Sequence, residues 1–524
     1  MSTSAQSNTA RRLTVAMIAR DAELLIGNTI KSVQPIADEI VVVDSGSTDN
    51  TRQIASSMAA KVIDWTWTDD FSAARNVGLA QSTGDWVFWI DAGETLTVED
   101  AAQLRQFVDQ TADPSTIYMM LVKLPPEPGQ TVGEQVGRFR LMPRRDDLSF
   151  EGRIRESVVN AATTAGMQLD AIAPRIHRSA RDLDSEVKAN KAERDLRIAD
   201  LEIATSPMLA RPHLAKGEAL VYLGQATAAR ASFATARQLA LAGSSEMLET
   251  YYGELTSFND AIAEERDQQL ELSLESLEHF PLDSQLLCAM GSYLQGQGRV
   301  DLAYRAYQTA HEHGQVRPEI WHLGDIADVA LVCLSLTLQL QDRDDEARAT
   351  LEESLATQST TADRVRRHLI DICVKQNDRQ AALLQVDQLI HDEGGREALR
   401  TAIRGACLAA NGNWISAKAY LETAFNAGCR DAICFRGLVK SLIYLNETAE
   451  ARSVLDEWRT REPHNPEIEI LSQSIGGEPK SAAGQRPAGS RSAGNLRIDG
   501  ASSDPIGSPA HQAQTQQTTP PQGI

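Results

Sequence analysis

Three apolar runs in the first hundred residues each stop at a carboxylate. Val15-Ala16-Met17-Ile18-Ala19 leads into Arg20-Asp21, Ile40-Val41-Val42-Val43 into Asp44, and Val87-Phe88-Trp89-Ile90 into Asp91. Short apolar segments that end at an acidic residue are the sequence form of a parallel sheet with a ligand crevice along its carboxyl edge. After Asp44 comes Ser45-Gly46-Ser47-Thr48-Asp49, a turn that frees backbone N–H groups at a helix start. An acidic side chain there either caps the next helix or accepts from the imide N–H of uracil or guanine while the helix end faces phosphates. The run Asp69-Asp70-Phe71-Ser72-Ala73-Ala74-Arg75-Asn76 turns a loop into a helix. Its first turns carry Arg75, a planar cation suited to a base or a diphosphate, and Asn76, an amide able to bridge to nearby backbone. Farther on, Phe150-Glu151-Gly152-Arg153-Ile154-Arg155-Glu156 offers Glu156, a carboxylate that takes a proton or pairs with Arg153 or Arg155.

These groups need a scaffold. Residues 13–125 alternate strand and helix signals in a βαβ pattern. Strands are predicted at Leu13–Ala19, Glu39–Asp44, Ala60–Trp65, Asp85–Asp91, Thr116–Leu124, Gly137–Pro143 and Arg175–His177. Helices are predicted at Glu23–Val33, Asp49–Met58, Phe71–Gln81 and Val98–Gln110, with a charged helix from Leu183 to Ala204. From Leu209 the pattern is unbroken helix with a recurring anchor and apolar residues four and seven positions later. Ala229, Leu270, Ala303, Ala347, Ala382, Ala417 and Ala451 are the anchors, spaced by 41, 33, 44, 35, 35 and 34 residues. Gly217, Gly291 and Gly405 stand twelve residues before three of them. The chain after Ile475 is rich in Ser, Gly, Pro, Ala and Gln and buries too little apolar area to offset chain entropy, so it is expected to be disordered.

The N-terminal stretch resembles the family 2 glycosyltransferases, inverting nucleotide-sugar enzymes of GT-A fold, in the subgroup followed by helical repeats. The Asp-Asp-Phe-Ser-x-x-Arg-Asn run is the most specific segment, and the repeats resemble tetratricopeptide repeats, whose period is about 34 residues. The resemblance implies a Rossmann-like α/β GT-A domain over residues 13–205 after an unstructured 1–12, an all-α tetratricopeptide-like solenoid over 206–475 and a disordered tail over 476–524. It implies a nucleotide site from Arg20, Asp21, Asp44, Asp70, Arg75 and Asn76, with a UDP-sugar favoured as donor and a hexose as the group moved. Asp91 and Glu156 would be catalytic, Glu156 as the base. A Mn2+ or Mg2+ ion would be held by Asp91, Glu94 and His177. Two departures accompany the match: the family's Asp-x-Asp is Asp91-Ala92-Gly93 here, and Arg155, a cation able to bind diphosphate, stands where the subgroup has histidine. Two functions are compatible with that pattern. One is sugar transfer to a hydroxyl or thiol, with a protein or peptide acceptor favoured because repeat arrays bind extended peptides. The other is a nucleotide-binding but inactive domain in a repeat-based scaffold.

The bulk properties set limits. A chain of 524 residues exceeds one hydrophobic core, so two or three domains are expected. A formal charge of −21 argues against broad binding to nucleic acid or anionic membrane. Cys288, Cys333, Cys373, Cys407, Cys429 and Cys434 lie at wide spacings with no CxxC pair, which reads as buried thiols in a reducing compartment. The polar start and the short first apolar run fit neither a signal peptide nor a membrane span, and a soluble cytoplasmic protein is expected.

Overall fold

The structure, a computed structural model, describes residues 11–126, 133–180, 185–259, 262–357, 363–389, 395–462 and 465–476. The unstructured segments expected at 1–12 and 476–524 lie outside them, apart from residues 11, 12 and 476. The first part runs β1 (Leu13–Ala19), α1 (Ile26–Val33), β2 (Glu39–Asp44), α2 (Thr51–Ser57), β3 (Lys61–Asp64), α3 (Phe71–Gln81), β4 (Trp86–Trp89), β5 (Glu94–Thr95) and α4 (Val98–Gln110). It continues with β6 (Thr116–Lys123), β7 (Glu134–Pro143), α5 (Val159–Thr164), β8 (Gln168–Arg178) and α6 (Ser185–Thr205). The strands form one sheet in the order β3-β2-β1-β4-β7-β6-β8-β5. Strands β3, β2, β1 and β4 are parallel, and β7 enters antiparallel beside β4, with Leu141 opposite Phe88. The chain builds outward from β1 to β3 and then returns to the other side of β1 with β4. That reversal is where an α/β sheet opens a crevice at the carboxyl ends of its strands.

Both faces are covered. Val15, Met17, Val42 and Phe88 pack under Ile26, Ile30 and Val33 of α1 and Leu104 and Val108 of α4. Ala16, Val87 and Trp89 face the other way, with Met142, Phe150 and Ala162. Helix α3 lies close on β4, since a Cβ on Gly78 would stand 2.7 Å from the Trp89 ring.

Helix α1 begins at Ile26 rather than Glu23, because residues 21–25 stitch the crevice loops together. The Glu23 carboxylate accepts from Asn50 N at 3.1 Å, and Glu23 N donates to Asp49 at 3.0 Å. Strand β8 is far longer than Arg175–His177. Its first residues, Gln168–Ala171, are exposed while pairing in parallel with β6, so they carry no alternation of apolar and polar residues. The short elements β5 and α5 were not anticipated.

From α7 (Ala210–Tyr222), α8 (Ala226–Leu239) and α9 (Ser245–Leu255) onward the described residues are helical to Gly476, interrupted by β9 (His322–Leu323). Ala229, Phe233 and Ala236 are buried, as are Ala303, Tyr307 and Ala310, Ala417, Leu421 and Ala424, and Ala451, Leu455 and Trp458. The glycines serve close approach: a Cβ on Gly217, Gly291 or Gly405 would stand 2.6 Å from Phe233, Tyr307 or Leu421 respectively. The anchor expected at Leu270 is corrected by one residue. Gln269, Ser273 and Ser276 are the buried row and Leu274 is exposed. That row is polar, so the sequence hides it, and its hydroxyls are satisfied within the helix, Ser273 on Gln269 O at 2.7 Å and Ser276 on Ser273 O at 2.8 Å. Gln269 then precedes Ala303 by 34 residues. All six cysteines are buried and free. No helix of the described residues is long and apolar enough to cross a membrane.

The repeats are strapped to the sheet. Strand β9 pairs with β7 through Glu134 and Gln135, Gly137 N donates to Pro318 O, and Arg138 donates to Glu319 O at 2.8 Å. Helix α6 packs on α7, where Ile198, Ala199 and Ala215 share a small core with Ile154.

Candidate active site

Asp70 starts the site. Its carboxylate caps α3, accepting from Ala73 N at 2.9 Å and from the Ser72 hydroxyl at 2.8 Å. It is therefore a positioning group at the helix start. One turn on, Asn76 clamps the Phe150 backbone with both ends of its amide, at 3.0 Å and 2.8 Å. Phe71 N donates to Arg153 O at 2.9 Å, and the Glu202 carboxylate of α6 accepts from the amides of Arg153 and Ile154. The loop of residues 150–157 is thus set by α3 and α6, which carries Glu156 to the end of β4.

Arg75 lies between that loop and β4. It is buried, its Nε donates to Glu156 Oε1 at 2.6 Å, and its guanidinium reaches Asp91 Oδ1 at 3.0 Å. The rings of Trp89 and Phe150 hold it at 5.0 Å and 5.4 Å. This corrects the expectation that Arg75 is presented to a nucleotide: the cation ties two carboxylates together beneath the crevice. Glu156 Oε2 makes no hydrogen bond among the described residues.

On the other side of Asp91 is Arg140 of β7. One of its terminal nitrogens donates to Asp91 Oδ2 at 2.9 Å and to Glu94 Oε1 at 2.8 Å. Glu94 is buried, and its other oxygen accepts from Asp91 N at 2.9 Å. Burial raises the Asp91 carboxyl, but Arg140, then Arg75 and Arg178, more than offset it and hold its pKa far below the ordinary carboxylate range. Burial pushes the Glu94 carboxyl up, with Arg140 opposing and Asp91 adding to the rise. Gly93 sits at φ +102, where a side chain is strained, and a Cβ would meet Leu25 at 3.2 Å.

Asp44 is buried at the carboxyl end of β2. Its Oδ2 accepts from Gly46 N at 3.3 Å and Ser47 N at 3.1 Å, with Arg52 Nε at 3.7 Å. Its Oδ1 is buried without a hydrogen-bond partner. A carboxylate oxygen left this way at a strand end is costly unless a ligand donor reaches it. Asp21, at φ +45, accepts from Thr48 N at 2.7 Å, so it fixes the loop after Asp44 rather than standing free for a ligand. Arg20 is exposed, 3.8 Å from Asp21.

His177 is not brought to the site. Its ring faces Asp100 of α4 at 3.4 Å, because alternation along β8 turns its neighbour Arg178 toward Asp91 and Glu94 instead. Arg155 is turned away as well. At φ +53 it points to the repeats, where one nitrogen meets both Glu218 oxygens at 2.8 Å and another meets Glu249.

The expected Mn2+ or Mg2+ does not fit this set. Hard divalent ions need several oxygen ligands. Here Asp91 and Glu94 are bridged by a guanidinium, Gly93 supplies none and His177 faces Asp100. Among the described residues no group of three or more His, Cys, Asp or Glu side chains is placed to hold an ion.

From the sequence, Arg138-Phe139-Arg140 reads as part of the acceptor side; the structure instead places Arg140 on Asp91 and Glu94. Glu202, Glu218 and Glu249 gave no signal, since each looks like an ordinary charge on an amphipathic helix.

Residues 14–121 match the family described as Glycosyl transferase family 2. A TPR repeat-containing protein of Synechococcus elongatus is 35% identical over 147 residues, 28% of this chain and 35% of that protein. An uncharacterized glycosyltransferase of Rickettsia typhi is 36% identical over 89 residues, 17% of this chain and 30% of that one. The prophage-derived glycosyltransferase SunS of Bacillus subtilis is 26% identical over 150 residues, 28% and 35% of the two chains. The match thus spans about a third of the length of these relatives. Among solved structures, a tetratricopeptide repeat protein of Parabacteroides merdae aligns over 51% of this chain and 99% of its own at 15% identity, with a TM-score of 0.38. Glucosyl-3-phosphoglycerate synthase of Mycobacterium tuberculosis, solved with Mn2+, UDP-glucose and phosphoglyceric acid, aligns over 22% and 43% at 26% identity, with a TM-score of 0.19. At these scores neither superposition bears on the site.

Proposed function

With an N-terminal domain that belongs to glycosyl transferase family 2, the chain is, we propose, an inverting glycosyltransferase that moves a hexose from a UDP-sugar to a hydroxyl or thiol of a peptide or protein. The buried, unpartnered Asp44 Oδ1 at the carboxyl edge of the sheet is the observation that carries the donor assignment. It is an acceptor suited to the imide N–H of uracil at the carboxyl end of β2. The crevice continues to Asp91, whose side chain is 39% exposed, and to Glu156, held at 2.6 Å by Arg75.

In the transfer step the acceptor oxygen or sulfur attacks the anomeric carbon from the face opposite the diphosphate. The bond from that carbon to the diphosphate oxygen breaks, and its electron pair leaves with the nucleoside diphosphate. Glu156 Oε2 takes the acceptor proton. Arg75, bonded to its other oxygen at 2.6 Å, keeps that carboxylate aimed, and Asp91 orients the ribose and the sugar. The repeats bind the polypeptide that carries the acceptor, as arrays of this kind do through their concave face. Six buried free thiols support a reducing, cytoplasmic setting.

Hydrolysis of UDP- and GDP-sugars without acceptor tests the assignment. Release of UDP from a UDP-hexose, lost in Asp44→Asn and slowed in Glu156→Gln, is expected. If no nucleotide-sugar is turned over while a diphosphate still binds by calorimetry, the domain is not a transferase and the scaffold alternative holds; if neither diphosphate binds, both readings fail.

A further inference from the structure

Resting on the transferase assignment, we infer that Arg140 takes the place of a divalent cation in this protein: it joins the Asp91 and Glu94 carboxylates and meets the leaving diphosphate with fixed positive charge. Its anchoring uses one nitrogen only. That nitrogen lies 2.9 Å from Asp91 Oδ2 and 2.8 Å from Glu94 Oε1, between the two carboxylates that an ion would need. The rest of the guanidinium is uncommitted: Nε is buried with no hydrogen-bond partner, and the remaining terminal nitrogen makes no hydrogen bond among the described residues. A buried arginine with an orphaned donor is costly unless an acceptor reaches it. A diphosphate oxygen supplies that acceptor, in the planar geometry that guanidinium binds best.

The arginine cannot readily make way for an ion. It is 6% exposed, within the paired length of β7, and its neighbour Leu141 pairs opposite Phe88. A divalent cation beside it would place like charges within bonding distance of the same oxygens, with little water to screen them. Gly93 agrees with this. Its φ of +102 and the Leu25 contact disfavour any carboxylate there, so the third ligand is excluded by backbone as well as by residue type. Arg178 lies near both carboxylates and adds to the field. As the bond to the anomeric carbon breaks, its electron pair passes to a diphosphate oxygen, and the charge gained there faces Arg140. A preorganised donor of this kind acts without reorganising at the moment of reaction.

Calorimetric titration of the full chain with UDP and with GDP, each in EDTA and in Mn2+, tests the assignment. The preferred diphosphate is expected to bind equally, within about twofold, in both conditions, and Arg140→Gln to weaken it about 10- to 100-fold in EDTA. Binding that Mn2+ tightens tenfold or more would overturn the arginine assignment while leaving the nucleotide site intact. So would a folded Arg140→Gln that binds as wild type does. If neither diphosphate binds in either condition, the transferase assignment fails and this one with it. Should circular dichroism show Arg140→Gln unfolded, the wild-type comparison alone decides.

Discussion

Arg75→Met tests whether the site is built around a buried cation. The substitution keeps an apolar stem of similar length against Trp89 and Phe150 and removes the guanidinium from Glu156 and Asp91. The Glu156 side chain is 13% exposed and loses its ion-pair partner at 2.6 Å. Breaking a buried pair from one side costs about 3–5 kcal/mol, and the lower end applies because Arg140 still attracts Glu156. Asp91 adds little, since it is 39% exposed and keeps Arg140 at 2.9 Å. The lost cation–π contact adds about 1 kcal/mol, half of it returned by the thioether against the ring. A total of about 3.5 kcal/mol corresponds to a rise of roughly two to three orders of magnitude in local opening. Hydrogen exchange of the amides in α3 and β4 of the full chain is the assay, because a multidomain protein lacks a single unfolding free energy. The double mutant Arg75→Met/Glu156→Gln, which removes the stranded charge, is expected to exchange more slowly than Arg75→Met alone. Unchanged exchange in Arg75→Met, or a double mutant whose losses simply add, would refute the buried-charge argument.

Asp44→Asn leaves an oxygen for Ser47 N but turns the amide NH2, a donor, toward the base, so UDP affinity measured by calorimetry should fall about tenfold or more. Gly291→Ala places a Cβ 2.6 Å from the Tyr307 ring; the helical gain of about 1 kcal/mol is outweighed by overpacking of roughly 1–3 kcal/mol, seen as a lower urea midpoint for the repeats. Arg155→Ala strands Glu249, whose side chain is 11% exposed, and faster exchange in α7 and α9 than in the distal repeats is expected. Asp100 accepts from Arg175 N at 2.9 Å. Burial opposes ionisation, but bonds from Thr97, Arg175 and His177 hold its pKa below the ordinary 3.8. Its stabilisation is therefore present above that value and lost as the pH falls through the folded one, so Asp100→Asn should flatten the acid limb of a pH–stability curve.

What was legible in the sequence was whatever depends on neighbours along the chain. Apolar runs marked β1 and β2 to the residue. Period and glycine spacing marked the repeats, except where the buried row at Gln269, Ser273 and Ser276 is polar. What escaped depends on parity and on partners brought from far away. His177 and Arg178 are adjacent, and which of them faces Asp91 is set by the pairing of Glu94 with Arg178 in a strand whose exposed start gives no alternation. Arg140 meets Asp91 only because β7 enters beside β4, 49 residues later in the chain. Arg155 and Glu156 make the same point with a consequence. The sequence puts a diphosphate-binding cation and a base side by side, but neighbouring residues in an irregular loop can point opposite ways. Glu156 turns in to Arg75, while Arg155, at positive φ, turns out to Glu218 and Glu249 on the first repeats. The carboxylate assigned as base is therefore one peptide bond from the clasp that joins the repeats to the sheet. The loop that carries both is held on its other side by Asn76 of α3 and Glu202 of α6, so base and clasp share one set of anchors.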